Sequence, residues 1–284
     1  MHATWRSTLP LLACLLSACG PTASAIAHPA PMATQAARTP TPTVAPSPTT
    51  IDAGYVAGEL SGIEAAIRAA DTDGPEYVAL GQRQQQMYHL LATHHDWLPA
   101  VLAAVSAQLG GIIQANLTAG QQIDSLNGAR SQLPHWRIIA PPPPSVLLGY
   151  YREAQQAYGI PWPYLAAINL IETNMGRIQG LSSAGAQGPM QFMPATWASY
   201  GRGDVNNPHD AILAAGRYLQ AAGAARNLSR AIFAYNNSDL YVRAVTLYAQ
   251  QMIANERAFL GYYNWQVYVA TTGGEVLLPE GFTG

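Results

Sequence analysis

One carboxylate stands apart in this chain. In the stretch LIETNMGRIQGLSSAGAQGPMQFMP, Leu170 to Pro194, Glu172 is the single acid, and it follows a strongly apolar run. Leu165, Ile168 and Glu172 are spaced by three and four, so on a helix they share one face. Burial disfavours the charged form and raises a carboxyl pKa. A carboxyl still protonated near neutral pH can act as a general acid. The same position also suits a buried glutamate satisfied by hydrogen bonds, or an exposed one at a frayed helix end.

Further polar groups follow. Between Ser182 and Trp197, Gly185 and Gly188 permit tight turns. Gln191 offers an amide that both donates and accepts. Met190, Phe192, Met193 and Trp197 suit either a sugar-sized groove or a core, and Phe192 and Trp197 read as core. The stretch AIFAYNNS then sets a phenol, Tyr235, beside an amide, Asn236. A metal site is not expected. His94 and His95 are adjacent and point to different helix faces, so with His89 they read as solvated histidines near a helix end. GRGDVNN, Gly201 to Asn207, lacks calcium-loop spacing and reads as a turn.

These groups need helices to hold them. IPWPYLAAINLIETNMG has Pro161 and Pro163 suited to a first turn and Gly176 suited to a stop. Before it, Ser145 reads as the cap of a helix closed by Gly159. After it, Asn207, Pro208 and Asp210 form a variant capping box. LSRAIFAYNN and SDLYVRAVTLYAQQMIANERAFL read as two more helices, Ser238 starting the second. The tail changes period around TTGG and predicts a small hairpin. From Tyr55 to Trp136 the pattern predicts three or four helices in hairpin-like packing, with Tyr77, Leu80, Met87, Leu90 and Leu91 near one stripe and Pro99 near a helix start. The run APPPPS, Ala140 to Ser145, marks an internal boundary.

Composition narrows the class of partner. The chain has 284 residues, 49% hydrophobic and only 11% charged, with a formal net charge of -2. All its basic Lys/Arg positions are Arg, and none form a run, which argues against nucleic acid. The N-terminus reads as an export signal. Arg6 is followed by a short apolar stretch, Leu9 to Leu16, too short to span a bilayer. LSAC, Leu16 to Cys19, resembles a bacterial lipobox, in which cleavage precedes Cys19 and its thiol is lipidated; the other reading is an ordinary signal peptide with a chance cysteine. Of the two cysteines, Cys14 would leave with the signal, so no disulfide is expected. Pro21 to Thr50 is rich in Pro, Thr, Ala and Ser and reads as an extended spacer.

The order ETN, then S-x-A-G-A-x-G-x-M-Q-F-M-P, then DAI-x-AA, then AYN resembles the lytic transglycosylase family over about Ser145 to Met252. The likeness is closest to the membrane-bound murein transglycosylase B type. It implies a mainly α fold: a lysozyme-like helical catalytic domain with an N-terminal helical extension and a small C-terminal β-hairpin. By motif, Glu172 matches the catalytic acid and Ser182 the serine that steadies it. Thr173, Met190, Gln191, Tyr235 and Asn236 are the expected substrate-binding or supporting set. Thr173 stands where many relatives have Ser, Pro189 where Leu is commoner, and AYNNS lacks a following Gly. The resemblance implies action on peptidoglycan glycan strands without cofactor or metal, by one acid rather than the two carboxylates of most glycosidases. The muramic acid C6 hydroxyl would close to a 1,6-anhydro ring. A lysozyme-like hydrolase and a non-catalytic wall-binding lipoprotein are the alternatives. The expected organisation is a lipoprotein signal at 1–18, a lipid-anchored linker at 19–54, a helical region at 55–143 and the transglycosylase domain at 144–284. The expected setting is a monomer held to the outside of a bacterial membrane through Cys19.

Overall fold

Apolar residues at helical spacing set the first half of the structure, a computed structural model that describes residues 50–69 and 74–284. The signal segment, Cys19 and most of the linker lie outside the described residues. Helix α1 (Ala53–Ala69) buries Val56, Leu60, Ile63 and Ile67, one stripe at steps of three and four. Helix α2 (Glu76–Thr93) packs against it with Met87 and Leu91 buried and Leu80 and Leu90 at the edge, while Tyr77 is buried in the main core. A 3-10 turn, His95–Trp97, leads into α3 (Leu98–Ala104), with Pro99 in its first turn as expected. Helix α4 (Ala107–Asn127) starts at Ser106, whose hydroxyl accepts from the Leu109 amide at 3.2 Å. The four helices enclose their own apolar cluster, and α4 also lies along a later helix of the second half.

Strand β1 (Arg137–Ile138) leads to helix α5 (Pro144–Tyr158). The helix begins one residue before the expected cap. Pro143 is the boundary residue and Ser145 makes no capping bond. Pro144 has no N–H to satisfy and a φ already set for the helix, so no side-chain cap is needed. Gly159 closes α5 in the left-handed region, φ 71°, as expected.

Helix α6 (Trp162–Thr173) is the central element. Nine of its twelve residues are buried, so it is enclosed nearly all round rather than amphipathic. It ends earlier than Gly176. Asn174, Met175 and Gly176 all have positive φ, and the Asn174 amide bonds back to Leu170 O. Strand β2 (Ile178–Gln179) then pairs antiparallel with β1. Helices α7 (Pro194–Tyr200), α8 (Pro208–Ala221), α9 (Leu228–Asn236), α10 (Asp239–Ala254) and α11 (Ala258–Tyr263) complete the helical set. Asn207 caps α8 by accepting from the His209 and Asp210 amides, and Ser238 caps α10 through the Tyr241 amide. Asp210 does not close the expected reciprocal box; its carboxylate accepts from the Asp204 amide instead. Helix α10 packs against both α6 and α4. Leu165, Ile168, Ile212, Ala215, Ile232 and Val245 are all fully buried in the main core. Each Leu, Ile or Val so enclosed contributes about 1.5–3 kcal/mol.

Strands β3 (Val267–Thr271) and β4 (Gly274–Leu278) form the expected C-terminal hairpin. A feature absent from the sequence reading is its partner. Ile138 of β1 packs with Val267, Val269 and Leu278 in a third apolar cluster, and its amide donates to Phe282 O.

The first helices also hold a buried polar network. Glu64, only 3% exposed, accepts from Gln84 Nε2 at 2.8 Å, the Tyr88 hydroxyl at 2.9 Å and Arg68 Nε at 3.1 Å. Asn116 Nδ2 donates to the Tyr88 hydroxyl, and the Tyr262 hydroxyl on α11 donates to Asn116 Oδ1. A buried charge needs such partners. The network ties α1, α2 and α4 to α11. Among the described residues no helix is long and apolar enough to cross a membrane.

Candidate active site

Glu172 sits in the last turn of α6, two residues before the chain turns left-handed at Asn174. Its side chain keeps a partial opening to solvent. Protein nonetheless surrounds the carboxyl on most sides, and that burial raises its pKa to about 7; a hydrogen bond from Tyr241 opposes the rise. The Tyr241 hydroxyl donates to Glu172 Oε1 at 2.6 Å. Tyr241 is 1% exposed, in the first turn of α10, and its ring stacks parallel to that of Tyr235 at 6.4 Å. Burial and the nearby Glu172 carboxyl push both phenols well above their ordinary pKa, so both stay protonated donors.

Tyr241 was not among the residues expected at the site. In SDLYVRAVTLY an aromatic at helical spacing reads as core. The available signal was its hydroxyl, since a buried tyrosine usually finds a hydrogen-bond partner.

The turn after α6 is clasped to the helix from behind. Thr173 Oγ1 donates to Pro189 O at 2.6 Å and accepts from the Gly176 amide at 3.1 Å. Asn169, one turn earlier, donates to the same Pro189 carbonyl at 2.8 Å and accepts from the Tyr151 hydroxyl at 2.6 Å. Thr173 is therefore a buried strut. Asn169 was also missed, because its partners are far along the chain. Asn174 Oδ1 is buried with no hydrogen-bond partner.

The 187–192 loop that carries Pro189 is a second, tight turn. Gln187 and Phe192 exchange backbone hydrogen bonds at 2.9 and 2.8 Å. Gly188 has φ 70°, and a methyl group there would collide with the Val205 carbonyl, so only glycine lets the two loops meet. Gln191 adopts φ 48°, rare for a side-chain-bearing residue, and its Nε2 donates to Gly188 O at 2.9 Å. Met190 is fully buried; its contribution is its carbonyl, which accepts from the Tyr235 hydroxyl at 2.8 Å. Phe192 is buried in the core as expected, and half-buried Trp197 packs against it at the core's edge.

Glu172, Tyr241, Tyr235 and the Met190 carbonyl thus form one connected set, whereas the Gln191 side chain turns to Gly188 O instead. Ser182 and Asn236 stand apart in their bonding. The Ser182 hydroxyl accepts from the Ala184 and Ala186 amides of its own loop. Asn236 is exposed at the end of α9. Cys19 lies outside the described residues. His89 pairs with Glu275 at 2.6 Å and His94 stacks on Trp97, so the three histidines do not converge.

A cleft of about 650 Å³ lies nearby but does not include Glu172 in its walls. It borders the end of α6 at Gly176 and the 187–192 loop at Gly188 and Pro189.

Residues 149–257 match the family model described as the transglycosylase SLT domain. No curated protein and no solved structure matches the chain.

Proposed function

From the match of residues 149–257 to the transglycosylase SLT domain we propose that the protein is a lytic transglycosylase acting on peptidoglycan, with Glu172 performing the whole reaction as a single acid and base. The bond cleaved is the β-1,4 link between N-acetylmuramic acid and N-acetylglucosamine. Glu172 donates its proton to the bridging oxygen as the bond breaks. The ionised carboxylate then accepts the proton of the muramic acid C6 hydroxyl, which attacks the anomeric carbon and closes a 1,6-anhydro ring. Protons balance, and no water is consumed. Intramolecular attack also gains from proximity.

The observation that carries this reading is the state of one carboxyl: burial raises its pKa to about 7, and among the described residues the one side-chain hydrogen bond on it comes from Tyr241. Burial is the cause of the rise, and among the described residues no carboxylate contributes to it. A two-carboxylate hydrolase needs a second acid flanking the bond. Tyr241 stabilises the ionised form, so the same group that holds the acid in place also supports its return as a base.

Action on peptidoglycan sets the work outside the cytoplasm. We place the protein at the outer face of the membrane, tethered through lipid on Cys19 and the Pro/Thr-rich spacer, on the strength of the sequence at 16–50. The test is Glu172→Gln in the full chain. It is expected to fold and to lose cleavage of isolated cell walls; retained cleavage would refute the assignment.

A further inference from the structure

The cleft of about 650 Å³ beside the Glu172 turn has two walls of different origin. One is the turn region Gly176–Gly180 together with Gly188 and Pro189, within the SLT domain. The other is 137–142, which precedes that domain. This second wall is fixed in place. The Ile139 amide donates to Arg177 O at 3.0 Å, and the Tyr263 hydroxyl donates to Pro142 O at 3.1 Å. The cleft is therefore preformed and has the volume of a small-ligand or short-peptide site.

Its charge is one-sided. Among the described residues that line it, Arg137 is the sole charged one, and no acid faces it. Arg137 is exposed, and one of its nitrogens donates to Gln179 Oε1 at 2.5 Å. The planar guanidinium has five N–H donors in a fork that fits a carboxylate. Pro141, Pro142 and Pro189 add walls without N–H groups, apolar surface against which a short backbone can lie.

We propose that this cleft receives the acidic peptide stem carried by the muramic acid of the substrate, with Arg137 pairing one of the stem's carboxylates. The inference rests on the peptidoglycan reading above. Position supports it: Thr173, the residue after Glu172, holds the Pro189 carbonyl, and Gly176 and Pro189 are walls of the cleft. A muramic acid at Glu172 and a stem in the cleft would lie on either side of these two clasped segments.

The test compares kcat/KM on stem-bearing glycan with kcat/KM on the same glycan stripped by an amidase, using the full chain. A charge-assisted hydrogen bond predicts a preference of about tenfold for stem-bearing strands. In Arg137→Gln the ratio is expected to fall toward unity. A wild-type ratio at or below unity overturns the inference, and so does a preference that survives Arg137→Gln. A measurement on wild type alone gives a second check. Free stem peptide is expected to inhibit cleavage of stem-bearing strands and to spare stripped ones; equal inhibition of both, or none, overturns the inference. Cleavage of both glycans at equal rates leaves the transglycosylase reading standing, whereas cleavage of neither removes that reading and this inference with it.

Discussion

The Tyr241 hydroxyl and Glu172 Oε1 meet at 2.6 Å although 69 residues separate them in the chain. The contact joins the last turn of α6 to the first turn of α10, two helices packed face to face in the core. It tempers the titration of the acid. Burial raises the carboxyl and the phenol pulls it part of the way back, to about 7.

Removing that phenol should move the acid's titration. In Tyr241→Phe the group that favours the ionised carboxyl is lost, so the pKa rises further. In wild type, kcat/KM should be level below about pH 7 and fall tenfold per pH unit above it, because the donating form is lost. In Tyr241→Phe the falling limb should shift to higher pH, with kcat lowered about tenfold as the carboxylate loses its support. A pH profile of wall cleavage checks this. A lower rate with an unmoved limb would mean that Tyr241 acts only in packing.

The same carboxyl should cost stability at neutral and alkaline pH. Below about pH 4.5 it is protonated in both folded and unfolded chains and costs nothing. Between about 4.5 and 7 the unfolded chain ionises first, so stability falls as pH rises. Above about 7 the penalty is constant. Glu172→Gln does not titrate. It should match wild type at pH 4 and exceed it at pH 8 by on the order of 1–3 kcal/mol. Urea unfolding at the two pH values checks this, and an advantage equal at both would contradict it.

The Glu64 network should matter far more than the surface pairs. Glu64→Leu leaves the donors of Gln84, Tyr88 and Arg68 without their acceptor in a buried site. The expected loss is about 2–4 kcal/mol. Glu59→Ala breaks a pair with Arg83 that is partly exposed on both sides, and should cost below about 1 kcal/mol. Denaturant midpoints of the two variants give the comparison. Similar losses would show that the network is not what joins the first helices to α11.

What the sequence made legible was local chemistry. Asn207, Ser238 and Gly159 act at helix ends as their types and spacing predict, because a cap depends on residues three or four away. Glu172 on the Leu165–Ile168 face was legible for the same reason. Tyr241, Asn169 and Glu64 were not. Each has a partner 18 or more residues away, Glu172, Tyr151 and Gln84 in turn, and the side chains look like core or solvated positions until the helices are packed. Strand β1 was missed because two residues carry no period; its register comes from β2 and the C-terminal segment. The end of α6 was misplaced because Asn174 and Met175 turn left-handed before Gly176 is reached.

The central claim is that a single proton leaves Glu172 for the bridging oxygen and is replaced from the substrate's own C6 hydroxyl. Mass spectrometry of cell-wall digests tests it most directly. The account predicts muramic acid termini lighter by one water, in the 1,6-anhydro form, with wild type, and no new termini with Glu172→Gln. Reducing muramic acid ends from wild type, or anhydro ends made by Glu172→Gln, would contradict it.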